Sequence, residues 1–274
     1  MEDSIMNSEH SETLLWKSWD DFDHTKTLYL GVQRSTFLVH QADDYAPFIL
    51  QTCGQYDWTE WRGKMIQLAR HNAAFTTPRF MFQHENSIYV GSDVEEFGIT
   101  LADLIACTIP MLEIHASAVL KQVVQALCKV ESLGLVYHDL TASKIFISRA
   151  GMVRLAGFGP RLRPQALDAA RPNPDNQDVG YLANYILTGL PRILGYSQTL
   201  DQKMVVQMKY TKLEVDIDRQ FDTAFFDFVD SCMDPICELQ RLLRNKFLVV
   251  GNQSCLIPLV YNAERTALRA VWRP

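Results

Sequence analysis

The sequence is short of positive charge, of paired cysteines and of long apolar runs, and each shortage removes a class of function. Its 26 Lys and Arg are outnumbered by 32 Asp and Glu, for a formal net charge of −6. Nucleic acids and anionic membrane surfaces are bound by clustered positive charge, so neither is an expected partner. The six cysteines (Cys53, Cys107, Cys128, Cys232, Cys237, Cys255) are scattered, with no CxxC pair and no His cluster at metal spacing. They read as free thiols of a reducing compartment, and no metal is expected. Apolar runs such as Phe247 to Val250 fall far short of the ~20 residues that span a bilayer. Met1 to Glu12 is polar and acidic, without the apolar stretch of a signal peptide. The expected location is cytoplasmic or nuclear, not secreted. Low-complexity tracts, blocks of like charge and internal repeats are also missing.

What is present is a globular composition, 47% hydrophobic and 21% charged over 274 residues, enough for one large domain or two lobes. The first half reads as strands: Thr27 to Val32 and Thr36 to Gln41 around the polar Gln33-Arg34-Ser35, then Phe48 to Leu50, Arg79 to His84 and Ser87 to Gly91. Between them, Trp58 to Arg70 carries apolar residues at helical spacing. From Thr100 the period changes. A long helix is expected over Ile114 to Leu133, with a short hairpin over Lys144 to Ser148 and Val153 to Ala156. A proline-rich stretch from Pro160 to Pro174 is expected to lack regular structure. Helices are then expected over Val179 to Leu187, Phe225 to Met233 and Glu238 to Asn245. The outline is α+β: an extension (1–21), a small β-rich lobe (22–92), a connector (93–99), a larger helical lobe (100–250) and a tail (251–274).

The segment Leu135 to Gly159 (LVYHDLTASKIFISRAGMVRLAGFG) resembles the catalytic and metal-binding loops of eukaryotic protein kinases. In that family H-R-D-L-x-x-x-N follows a long helix and D-F-G follows a short hairpin. Here Tyr137-His138-Asp139-Leu140 and Gly157-Phe158-Gly159 occupy those places. Arg70-His71-Asn72 resembles the end of the kinase C-helix. Ile88-Tyr89-Val90 leads to Ser92 as gatekeeper and to Asp93, Val94 and Glu95 as hinge. Asp178 to Gly189 resembles the F-helix, whose first Asp hydrogen-bonds the catalytic-loop backbone. Cys232 to Pro235 and Leu242 to Leu248 are similar to the last two kinase helices, and Gly98 to Ile105 resembles kinase-like proteins of fungi. The resemblance runs over roughly residues 22–248 and implies a bilobal kinase-like fold.

The departures from the family imply loss of catalysis, because phosphoryl transfer is mostly positioning and charge neutralisation. The phosphate-binding lysine falls on Gln51 and its C-helix glutamate partner on Arg62. The two metal-binding positions fall on Lys144 and Gly157, and Mg²⁺ needs oxygen ligands. Asp139 keeps the catalytic-base position, where a role in bracing the loop is the simpler reading. His138 replaces the arginine that answers a phosphorylated activation segment, and Tyr137 replaces the histidine that packs under Phe158. The segment from Gly157 to Asp178 is short, lacks Ala-Pro-Glu, and has no Ser, Thr or Tyr between Pro160 and Gln177. Only Gly31 lies near the first hairpin, so backbone amides there are poorly placed to cradle phosphate.

The resemblance therefore implies a pseudokinase that acts by binding another protein, such as an active kinase or another signalling or biosynthetic protein, as scaffold or allosteric regulator. No Mg-ATP binding is expected, although weak metal-free nucleotide binding through Lys144 stays open. Two other readings stay open as well. One is a divergent nucleotide-dependent transferase using Asp139 and Lys144; the other is a small-molecule binder using an inter-lobe cleft. The proline-rich segment and the tail are candidate surfaces: the first is more simply a solvated loop, and the second could be a partner-binding or lobe-covering strand, with packing onto its own domain the simpler reading.

Overall fold

The computed structural model describes residues 18–28, 36–43, 45–53, 74–76, 78–85, 87–93, 98–107, 110–137, 140–156, 163–164, 174–188, 223–234 and 236–271. The expected strand end at 29–32, the helix over Trp58 to Arg70, and Arg62, Val94, Glu95, His138, Asp139, Gly157, Phe158 and Gly159 lie outside them.

Five strands form one antiparallel sheet: β1 (Phe22–Leu28), β2 (Thr36–Gln41), β3 (Pro47–Cys53), β4 (Pro78–His84) and β5 (Ser87–Asp93). Their order is β1-β2-β3-β5-β4. Side chains alternate across a strand, and one face of this sheet collects aromatic rings. Phe80 and Phe82 are buried with Val39 and Leu50, and Phe22, Phe37, Phe48 and Tyr89 pack around them. Trp19, in a short 3-10 turn over Trp19–Asp21, lies over this face, with ring centroids 4.9 Å from Tyr89 and 5.4 Å from His84. Residues 18–21, expected as part of an extension, thus pack on the sheet. The other face contributes Met81, Ile88 and Val90 to the main core.

That core is organised around a long helix. After β6 (Ile99–Thr100) and α1 (Leu101–Ala106), α2 runs over Glu113–Ser132 and buries Ala116, Val119, Leu120, Val123, Val124, Leu127 and Val130. This is an amphipathic face at 3.6-residue spacing. Ile114, expected on that face, is instead 36% exposed. β7 (Leu135–Val136), β8 (Ile145–Ile147) and β9 (Val153–Leu155) follow; β6, β8 and β9 form a small sheet. The chain continues through β10 (Arg163–Pro164), α3 (Pro174–Thr188), α4 (Thr223–Met233), α5 (Leu239–Leu242), α6 (Phe247–Val250) and α7 (Ile257–Val271).

Four expectations change. Arg163 and Pro164 pair antiparallel with Val136 and Leu135, so the proline-rich stretch contains regular structure. Proline cannot donate to a ladder and is therefore confined to edges, which a two-residue strand at a sheet edge satisfies. α3 begins at Pro174, five residues before its expected start, because proline is favoured at the first helical position. The helix expected over Glu238 to Asn245 closes at Leu242 and gives way to turns before α6. The tail is a helix rather than a strand, burying Leu256, Leu259, Val260 and Ala263 at i, i+3, i+4 and i+7. No helix among the described residues is long and apolar enough to cross a membrane.

Candidate functional site

The loop between β7 and β8 is held from below by two carboxylates of α3. Asp175 Oδ2 accepts a hydrogen bond from Tyr137 N at 2.8 Å, and Asp178 Oδ2 accepts one from Leu140 N at 3.2 Å. Three residues apart on a helix, the two side chains share a face, and together they bracket the stretch that contains His138 and Asp139. Asp175 is 1% and Asp178 7% exposed. A buried carboxylate is costly unless hydrogen-bonded, and a charge-assisted bond contributes roughly 1.5–3 kcal/mol. Asp175 also sits in the first turn of α3, where the helix dipole favours negative charge.

Asp175 was not among the residues singled out from the sequence. Its signal is Pro174: a proline at a helix start places the next residue in the first turn, ready to accept from an incoming loop. Beside it, buried Asn176 donates from Nδ2 to the Cys237 carbonyl, tying α3 to the α4–α5 connection.

The upper side of the loop is tied to the β8–β9 hairpin. Buried Tyr137 donates its hydroxyl hydrogen to the carbonyl of Ala156. The amide of Ala156 donates to the carbonyl of Lys144 at 2.8 Å. Ala156, the residue before Gly157, is therefore gripped at both backbone groups. The Tyr137 hydroxyl thereby fixes the exit of β9. Lys144 closes a 3-10 turn over Ala142–Lys144 and is half-buried. The same strand exit is tied to the segment that precedes β4: Phe75 bridges Leu155, and Thr76 N donates to the Leu155 carbonyl at 3.1 Å.

The remaining site positions are placed by the sheet. Gln51 lies on β3 opposite Val90 of β5 and Thr36 of β2. Ser92 is buried on β5, paired with Ile49 and Pro78. Asp93 ends β5 and accepts from Arg79 Nε at 2.5 Å, which fastens the start of β4 to the end of β5.

The hairpin tip is clamped from behind. Gln122 of α2 accepts from Val153 N at 3.0 Å and donates to Gly151 O at 3.3 Å, while Gln253 donates to Ala150 O at 2.8 Å. Gly151 has φ +77°, and a Cβ there would stand 2.3 Å from the Gln253 carbonyl. Only glycine meets both conditions. Arg149 and Glu264 of α7 form an exposed ion pair at 2.9 Å. The tail helix thus rests on the hairpin that leads to residues 157–159.

Chemically this framework orders backbone and holds the cation Lys144 beside the exit of β9. Among the described residues no group of three or more His, Cys, Asp or Glu is placed to hold a metal ion. Cys107, Cys128, Cys232, Cys237 and Cys255 are free, and burial raises the pKa of each; that of Cys128, beside Glu131, is pushed up to about 11. Thiolate is the reactive form of cysteine, so these are poor nucleophiles. No protein-family model matches the chain, and no curated protein matches it significantly.

Proposed function

We propose that the chain is a non-catalytic binding module with a bilobal, kinase-like fold, a pseudokinase that acts on a protein partner through its shape. The observation that carries this reading is the pairing of a loop anchored on both sides with replaced chemistry. Asp175, Asp178 and Tyr137 hold the catalytic-loop backbone and the exit of β9. Gln51, Lys144 and Gly157 stand where phosphate- and metal-binding groups would be needed. A chain that keeps the framework and lacks its charges is suited to scaffolding or allosteric regulation and poorly suited to phosphoryl transfer. The sheet order β1-β2-β3-β5-β4, with a long interval between β3 and β4, supports the fold assignment.

The test is thermal unfolding of the purified chain with ATP, with and without Mg²⁺. A ligand at 100-fold its Kd adds ~2.7 kcal/mol, an easily read shift. No shift in either condition is the expected result. A shift independent of metal assigns phosphate binding to Lys144, and a Mg²⁺-dependent shift overturns the reading of Gly157.

A further inference from the structure

From Leu239 to Ala263 every charge is positive: Arg241, Arg244 and Lys246 are accompanied by no Asp or Glu, in a chain of net charge −6. The fold sorts this stretch by face. Leu239, Leu242, Phe247 and Leu248 are buried, whereas Arg241, Arg244 and Lys246 are exposed. None of the three cations is ion-paired to a described residue. Immediately beyond them Val249 is 69% and Val250 62% exposed. Gly251 then presses the chain onto α2 so closely that a Cβ would lie 2.4 Å from the Ile114 carbonyl. The turn of α2 that carries the partly exposed Ile114 therefore lies against Gly251, next in sequence to the two valines. Exposed apolar residues rimmed by like charges mark interaction sites rather than ordinary solvated surface.

We propose that this α5–α6 surface docks an acidic amphipathic segment of a partner protein. Carboxylates of that segment meet Arg241, Arg244 and Lys246, and its apolar side chains cover Val249, Val250 and Ile114. Charge complementarity selects this occupant. Recruitment to anionic lipid takes clusters of about 4–8 cations, more than this patch holds, and an extended polyanion or lipid surface would also face the acidic remainder of the chain, which a short segment avoids. Asp234 and Glu238 bound the patch on its N-terminal side, which disfavours an acidic ligand there and orients it toward α6. The proposal deepens the binding-module reading by naming a surface and rests on no feature of the cleft, so nucleotide binding by the chain leaves it standing.

The test uses the full chain and a displayed library of 16-residue peptides with four fixed acidic positions and randomised apolar ones. Selection is run against R241E/R244E/K246E as counter-target. The expected result is enrichment of peptides that bind the native chain, lose at least tenfold in affinity to the charge-reversed variant and to V249S/V250S, and weaken as salt rises. All five positions are exposed, so unchanged circular dichroism and Tm verify that the variants fold. Absence of any peptide that separates native from charge-reversed chain overturns the proposal. So does co-sedimentation with phosphatidylserine vesicles that depends on the same cations. Binding of a peptide of residues 1–17 (acidic at Glu2, Asp3, Glu9 and Glu12) to a chain lacking them would assign the surface to the protein's own N-terminus instead.

Discussion

The aromatic face of the sheet and the two ends of the loop above α3 are held by different forces. On the sheet, Phe80, Phe82 and their neighbours are fixed by area and shape, with ring pairs such as Phe82–Tyr89 at 5.2 Å. Each such pair adds about 0.5–1.5 kcal/mol beyond its burial. On the loop, Asp175, Asp178 and Tyr137 hold backbone amides and a carbonyl by single directional bonds. Packing of the first kind tolerates a smaller apolar side chain in part. Hydrogen bonding of the second kind fails when one atom changes, because the partner stays buried and unsatisfied. Anchors of the second kind fix individual backbone groups, whereas packing of the first kind fixes a surface.

Four substitutions at three positions order this contrast. Phe82→Ala should destabilise most, by about 3–5 kcal/mol in chemical denaturation, while Phe82→Leu should cost only roughly 1–2 kcal/mol because much of the volume is kept. Asp175→Asn, although nearly isosteric, should cost about 2 kcal/mol, since it exchanges a charge-assisted bond for a neutral amide facing Tyr137 N. If Asp175→Asn proves milder than Phe82→Leu, the contrast is broken. Tyr137→Phe should cost about 1 kcal/mol, and hydrogen exchange at residues 155–156 should accelerate more than at β4 or β5.

The smallest effect concerns pH. His115 Nδ1 accepts from Leu112 N at 3.0 Å at the start of α2, and burial lowers its pKa. The folded state therefore prefers the neutral ring. This contribution is fully present above the unfolded value near 6.5 and is lost as pH falls from there toward the lower folded pKa. Denaturation midpoints measured between pH 7.5 and 5 should decline in the native chain and decline less in His115→Gln.

Most elements were legible where their periodicity is local. β2 stands at its expected bounds, Thr36–Gln41, and β4, β5 and α2 lie within a residue or two of theirs. Two-residue alternation and a 3.6-residue stripe are written in adjacent positions. The α7 helix escaped because Pro258 near its start and the mixed apolar run Leu256 to Val260 also suit a strand. The pairing of Arg163–Pro164 with β7 and the bond from Tyr137 to Asp175 join residues far apart in sequence. No local pattern encodes such contacts. Of the candidate site, the positions of Gln51, Ser92, Tyr137, Lys144 and Asp178 could be named from the resemblance, whereas the second carboxylate and the grip on Ala156 needed the fold.

The central proposal is that the framework is kinase-like and that its phosphate- and metal-binding groups are replaced. Calorimetric titration of Mg-ATP into the native chain and into Q51K/K144N/G157D tests both halves at once. The account predicts no heat of binding for the native chain and measurable, Mg²⁺-dependent binding once the three groups are restored. Mg²⁺-dependent binding by the native chain would contradict it.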